Sequence, residues 1–140
     1  MTSLKTPLRY PGGKSRAIKK MAQFLPDMSK YKEYREPFLG GGSVALHITQ
    51  TYPHLEIWVN DLYEPLVNFW QQLQDEANEI TTRLRTFKGT YSTPEKAKEL
   101  FLESKELVND ERASLVTRAV SFYIVNKCSF SGLTESSSFS

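Results

Sequence analysis

Several things are scarce in this 140-residue chain, and each scarcity closes off a class of protein. There is one cysteine, Cys128, so no disulfide can form within the chain; a disulfide-stapled secreted scaffold is excluded, and a reducing, cytoplasmic setting is expected. No apolar run approaches the roughly 18 residues of a spanning helix, and the first residues are polar and basic, so neither a membrane segment nor a targeting segment is read. His47 and His54 lack the Cys or acid spacing of a zinc site, and both are read as surface or structural histidines. The seven prolines stand at 7, 11, 26, 37, 53, 65 and 94, with no Pro-Pro pair and none after Pro94. Acid is missing from residues 1–26, which carry Lys5, Arg9, Lys14, Arg16, Lys19 and Lys20. A modest overall charge of +2 therefore hides a basic start and a remainder of net −4. Such a basic segment suits either a phosphate backbone or a solvated face. The 39% hydrophobic and 24% charged content is that of one globular domain.

What is present is organised around YREPFLGGG, residues 34–42. An apolar run ending Pro-Phe-Leu leads into three glycines and then SVAL, the pattern of a strand, a tight turn and the start of a helix. Gly40, Gly42 and Ala45 fit the spacing G-x-G-x-x-A. A glycine turn lets backbone approach a ligand, and the following helix aims unpaired N–H groups at it; a plain tight turn would use the same residues. Asp61 follows a second apolar run, Ile57 to Val59, about twenty residues after the glycines, where dinucleotide folds place the acid that accepts from ribose hydroxyls. Its other reading is a cap for the helix starting near Glu64 and Pro65.

In chain order, a first helix is expected from the apolar positions Ala17, Ile18, Met21, Ala22 and Leu25, stopped by Pro26, with Lys14 in its first turn. A cation there opposes the helix dipole unless an anion is bound beside it. Ser43 is the expected N-cap of a short helix ended by Pro53, and residues 55–59 read as a strand covered on both faces. Helix, strand, helix, strand is the α/β pattern with a parallel sheet. Leu66, Trp70, Leu73, Ala77, Ile80, Leu84 and Phe87 form one apolar stripe, which predicts a single long core helix. A turn-rich linker at 88–94 precedes two more helices, Glu95 to Val108 and about Glu111 to Asn126. The last thirteen residues include six serines and are expected to be mobile without a partner.

Taken in order, these pieces resemble the amino-terminal half of the D12-class, Dam-like DNA adenine-N6 methyltransferases. LRYPGGKSR at 8–16 resembles the family's first cofactor motif, and EPFLGGGSVAL at 36–46 its glycine-rich motif. VNDLYEPLVNFW at 59–70 resembles the acidic motif, and NKCSFSGL at 126–133 the segment leading into target recognition. The resemblance implies an incomplete Rossmann-like class I methyltransferase fold with a helical insertion. It divides the chain into an S-adenosylmethionine-binding α/β part at 1–88, a helical part at 89–127 leading into DNA target recognition, and a tail at 128–140.

The implied cofactor residues are Tyr10, Gly13, Lys14, Glu36, Pro37, Phe38, Gly40, Gly42 and Asp61. Lys14 would approach the carboxylate of S-adenosylmethionine, residues 36–42 would wrap its methionine portion, and Asp61 would meet its ribose. Phe130, Ser131 and Leu133 match positions that contact DNA, the implied partner being double-stranded. The family commonly has asparagine where Ser131 stands and a basic residue where Glu135 stands. Adenine's amine is a poor nucleophile, and the family handles it with an Asp-Pro-Pro-Tyr motif that this sequence lacks, so no catalytic residue is assigned and no methyl transfer by the chain alone is expected.

Two other readings stay open. One is a non-catalytic S-adenosylmethionine- or DNA-binding module, or half of a split methyltransferase whose second polypeptide supplies the catalytic half. The other is a nicotinamide-binding oxidoreductase, which also uses glycines followed by an acid.

Overall fold

The computed structural model describes residues 3–129, 132, 138 and 139. The chain forms two compact units, Met1–Leu62 and Tyr63–Ser140. The first contains α1 (Ile18–Met21) running into a 3-10 turn (Ala22–Phe24), β1 (Glu33–Glu36), α2 (Ser43–Thr51) and β2 (Glu56–Val59). The second is helical: α3 (Glu64–Asp75), α4 (Ala77–Thr90), α5 (Pro94–Leu107) and α6 (Leu115–Cys128).

The expected parallel pairing is present. β1 and β2 run parallel in a two-stranded sheet, with Tyr34 opposite Ile57 and Glu36 opposite Val59. The helix α2 between them makes the crossover that parallel strands require. Alternation then sorts the side chains. Tyr34, Glu36 and Ile57 are half-buried, while Glu33, Arg35, Glu56 and Trp58 are exposed. On the exposed side Arg35 pairs with Glu33 and lies over the Trp58 ring at 5.9 Å. β2 is thus not covered on both faces: Trp58 and Val59 remain 56% and 40% exposed. Its apolar residues, without clean alternation, suggest a doubly buried strand, but burial depends on what packs there.

Several helix boundaries also differ from expectation, α6 beginning at Leu115 and not near Glu111. α1 has only four residues, because Ala17 at its N-cap offers no capping side chain; Lys14 lies in the turn before it and its carbonyl accepts from Ala17 and Ile18. α2 is capped by Gly42, not Ser43, the cap residue standing at φ 77°. The long stripe is divided at Glu76, whose φ of −130° and ψ of 34° interrupt the helix. The break falls in the exposed polar run Asp75, Glu76, Ala77, Asn78 and Glu79, where no burial enforces continuity. Both halves still pack on α6. A repeat of three and four is blind to such a single-residue break.

The helical unit has a well-filled core. Leu66 and Phe69 of α3, Ile80 of α4, Phe101 of α5, and Ala119, Val120, Phe122 and Val125 of α6 are buried. Phe69 is the hub, 5.6 Å from the Phe122 ring and stacked at 6.0 Å on Tyr123. Polar ends are handled locally. Thr93 and Ser114 cap α5 and α6 by accepting from the Lys96 and Thr117 amides. Asn68, buried on α3, donates to the Leu115 carbonyl at 3.0 Å. Of the last thirteen residues, expected to be mobile, Cys128 instead ends α6, and Ser129 is buried and bridges to Phe139, whose ring lies 5.6 Å from Phe101; the expectation for 130, 131, 133–137 and 140 falls outside the described residues. No helix among the described residues is long and apolar enough to cross a membrane.

Candidate functional site

Both strands of the first unit deliver their C-terminal ends to one place. Past the strands the pairing continues, with Asn60 donating to the Glu36 carbonyl at 2.9 Å and Leu39 to the Asn60 carbonyl at 2.8 Å. That continuation sets the next residues side by side. The Gly40 amide donates to Asp61 Oδ2 at 2.9 Å. Asp61 thus accepts from the glycine turn, and the cap position of α3 is held by Tyr63, whose own side chain makes no capping bond.

The glycines have separate jobs. Gly42 reverses the chain into α2 in the left-handed region, which costs a side-chain-bearing residue about 1 kcal/mol or more. Gly41 is buried, and a Cβ on it would stand 2.9 Å from Tyr10 Cβ. Tyr10 therefore lies directly on the turn, and its ring also flanks Gly40. The segment bearing Tyr10 is folded back by a bond from the Gly13 amide to the Tyr10 carbonyl at 2.8 Å. It is tied to the helix start by a 2.8 Å hydrogen bond between the hydroxyls of Ser15 and Ser43.

These pieces enclose a cleft of about 340 Å³, within the size range of small-molecule sites. Tyr10, Gly13, Lys14, Glu36, Phe38, Gly40, Gly42 and Asp61 all line it. Pro37 does not; it ends β1, having no amide hydrogen to continue the ladder. Phe130, Ser131 and Leu133 lie outside the described residues. Gly41, expected only as part of the 36–42 wrap, and Ser43, expected only as a helix cap, also line the cleft. The middle glycine of three was the available signal for close approach, since flanking glycines alone suffice for a turn.

The charges are mixed. Burial pushes the Glu36 carboxyl above its ordinary value, while the Tyr34 hydroxyl, donating to Glu36 Oε2 at 3.1 Å, and the Lys14 charge pull it back. Burial and the Glu36 charge push the Tyr34 hydroxyl up to about 12. Tyr10 is raised by burial and then by the Asp61 charge. A cation, two carboxylates, glycine amides and the exposed ring of Phe38 thus share one cleft. That set can hold a ligand that carries both signs of charge and a flat or apolar part.

The sequence itself carries known likenesses. Residues 10–140 match the family model described as D12 class N6 adenine-specific DNA methyltransferase. The chain is similar to the type II methyltransferase M.MjaIII of Methanocaldococcus jannaschii, 26% identical over 133 residues that make up 90% of this chain and 46% of the relative. It is similar to the DNA N-6-adenine-methyltransferase of Escherichia phage P1, 30% identical over 127 residues, 91% of this chain and 15% of the relative. It is also similar to the type II methyltransferase M1.LlaDCHI of Lactococcus lactis subsp. cremoris, 26% identical over 128 residues, 89% of this chain and 41% of the relative. The chain spans less than half the length of each of these relatives.

Proposed function

Because this chain belongs to the D12 class N6 adenine-specific DNA methyltransferase family, we propose that its glycine cleft binds S-adenosylmethionine and that the chain is the cofactor-holding part of a site-specific DNA adenine-N6 methyltransferase. The observation carrying this reading is the Gly40–Asp61 bond at the lip of a cleft that also holds Lys14 and Glu36. The residues fit the group. Gly41 has no Cβ to obstruct backbone approach beside Tyr10, and the donor set complements a zwitterionic amino-acid end, a sulfonium and two ribose hydroxyls.

When bound, S-adenosylmethionine supplies an electrophilic methyl group on a positive sulfur. Lys14 would pair with its carboxylate, Glu36 and the turn would hold the methionine portion, and Asp61 would accept from the ribose while its bond to Gly40 keeps the carboxylate oriented. Tyr10 buttresses the turn from one side. In this reading β1 and β2 belong to a Rossmann-like sheet, residues 1–88 serve the cofactor, 89–127 lead into DNA target recognition, and double-stranded DNA is the substrate. The Asp-Pro-Pro-Tyr chemistry is absent from these 140 residues, so methyl transfer requires that motif from elsewhere.

Calorimetric titration with S-adenosylmethionine tests the reading. Saturable one-site binding is expected, with no competition from NAD; binding of NAD in its place would turn the assignment to an oxidoreductase. A radiolabelled methyl-transfer assay on adenine-containing duplex is expected to show no turnover by the chain alone.

A further inference from the structure

The first 26 residues hold six cations and no acid, and the cleft uses one of them, Lys14. Three others sit together. Helical bonding begins at Lys14, whose carbonyl accepts from Ala17 and Ile18, and continues through α1. Arg16, Lys19 and Lys20 therefore follow each other at helical spacings of three and one, and three and four apart are neighbours on a helix surface. All three are exposed, while Ile18 and Met21 are half-buried.

Among the described residues no carboxylate pairs with this strip. α1 packs on α2 and the 3-10 turn, and neither contains a carboxylate; His47 is their one titratable side chain. The next acid along the chain, Asp27, accepts from the Ser29 amide and hydroxyl at 2.9 and 3.0 Å. None of Arg16, Lys19 and Lys20 is in an ion pair among the described residues. Other cations on the protein do have acid partners: Arg35 pairs with Glu33, Arg83 with Glu79, Arg112 with Asp110 and Arg118 with Glu64. Like charges clustered without counter-charges repel one another, and an external polyanion relieves that repulsion.

We propose that Arg16, Lys19 and Lys20 form a docking strip for the phosphodiester backbone of duplex DNA, running to the mouth of the cleft at Lys14. The proposal rests on the methyltransferase reading for its partner and on the unpaired cations for its place. Duplex DNA carries about one negative charge per 1.7 Å of axis, so a short strip of cations meets several phosphates at once. The contact is independent of base sequence. Its work is to hold the duplex beside the cleft while other residues read bases.

The test is the affinity of the 140-residue chain for a fluorescein-labelled duplex, measured by anisotropy at several salt concentrations. The variant Arg16→Gln/Lys19→Gln/Lys20→Gln is compared with Lys88→Gln/Lys96→Gln/Lys98→Gln, which removes equal charge from the helical unit. The strip variant is expected to bind about tenfold or more weakly at moderate salt and to lower the salt slope by about one per lost phosphate contact. The comparison variant should change much less, and Lys19→Arg/Lys20→Arg should bind like the parent. Circular dichroism and S-adenosylmethionine titration check that the strip variant is folded. An unchanged salt slope, or an equal loss in both triple variants, overturns the strip while leaving the cofactor reading intact. Failure of the parent chain to bind duplex even at low salt overturns the strip and the DNA part of the functional reading together, and absence of S-adenosylmethionine binding separately overturns the cofactor part.

Discussion

The Gly40 amide donates to the Asp61 carboxylate at 2.9 Å across 21 residues of chain. This one bond joins the segments that follow the two strands. Replacing Asp61 with alanine is expected to weaken S-adenosylmethionine binding by about 1–3 kcal/mol, the range for a lost hydrogen bond to a charged group. Asp61→Asn keeps an acceptor for Gly40 and should retain most of the thermal stability while still losing affinity. Titration and thermal melting of the pair separate the two roles, and unchanged affinity in the alanine variant would remove Asp61 from the site.

Tyr10 and Gly41 should be coupled. A methyl on Gly41 meets Tyr10 Cβ at 2.9 Å, so Gly41→Ala is expected to destabilise by about 1–3 kcal/mol, as overpacking does. Tyr10→Gly removes the Cβ that the new methyl meets, so the double variant should be less destabilised than the two single losses added together. A thermal-melt double-mutant cycle measures this coupling, and strict additivity would mean that Tyr10 Cβ does not seat on Gly41.

Glu36 gives the first unit a pH dependence of known sign. Its folded pKa is raised, chiefly by burial, so its contribution to stability is fully present below the ordinary carboxylate value of about 4.3 and is lost as pH rises through the folded value. Glu36→Gln should therefore flatten the melting temperature against pH just above the ordinary carboxylate value, relative to the parent. Lys14→Met removes a charge that lowers this pKa and should move the Glu36 titration, followed by NMR, further up.

In the helical unit Arg118 is expected to outweigh its partner. Its side chain is 12% exposed, meets Glu64 at 2.5 Å and also donates to the Val108 carbonyl at 3.1 Å. Arg118→Ala should cost about 1–3 kcal/mol in urea unfolding, because it leaves a carbonyl without its donor as well as breaking the pair. Glu64 is 58% exposed, and Glu64→Ala should cost about 1 kcal/mol or less.

Much of this architecture is legible in the order of residues alone. The glycine turn and the beginning of α5 depend on neighbours within a few residues, so residue type and spacing carry them, whereas α6 starts at Leu115, four residues past the expected Glu111. The break at Glu76 is not legible there, because an apolar repeat reports which side is buried and not whether the backbone is continuous. The exposure of Trp58 is hidden for a related reason: an apolar run states a preference for burial, and only packing neighbours fulfil it.

The candidate site divides in the same way. Composition and motif order by themselves determined that the chain has no internal disulfide, that its basic residues gather at the start, and that Lys14, the glycines and Asp61 are the residues to watch. Only the tertiary structure decided that the Asp61 carboxylate accepts from the glycine turn, that Tyr10 lies on Gly41, and that Pro37 stands outside the cleft. These are relations between residues distant in sequence, set by the parallel register of β1 and β2 and by a fold-back of the first loop, and spacing along a chain holds no record of which backbone hydrogen bonds join distant segments.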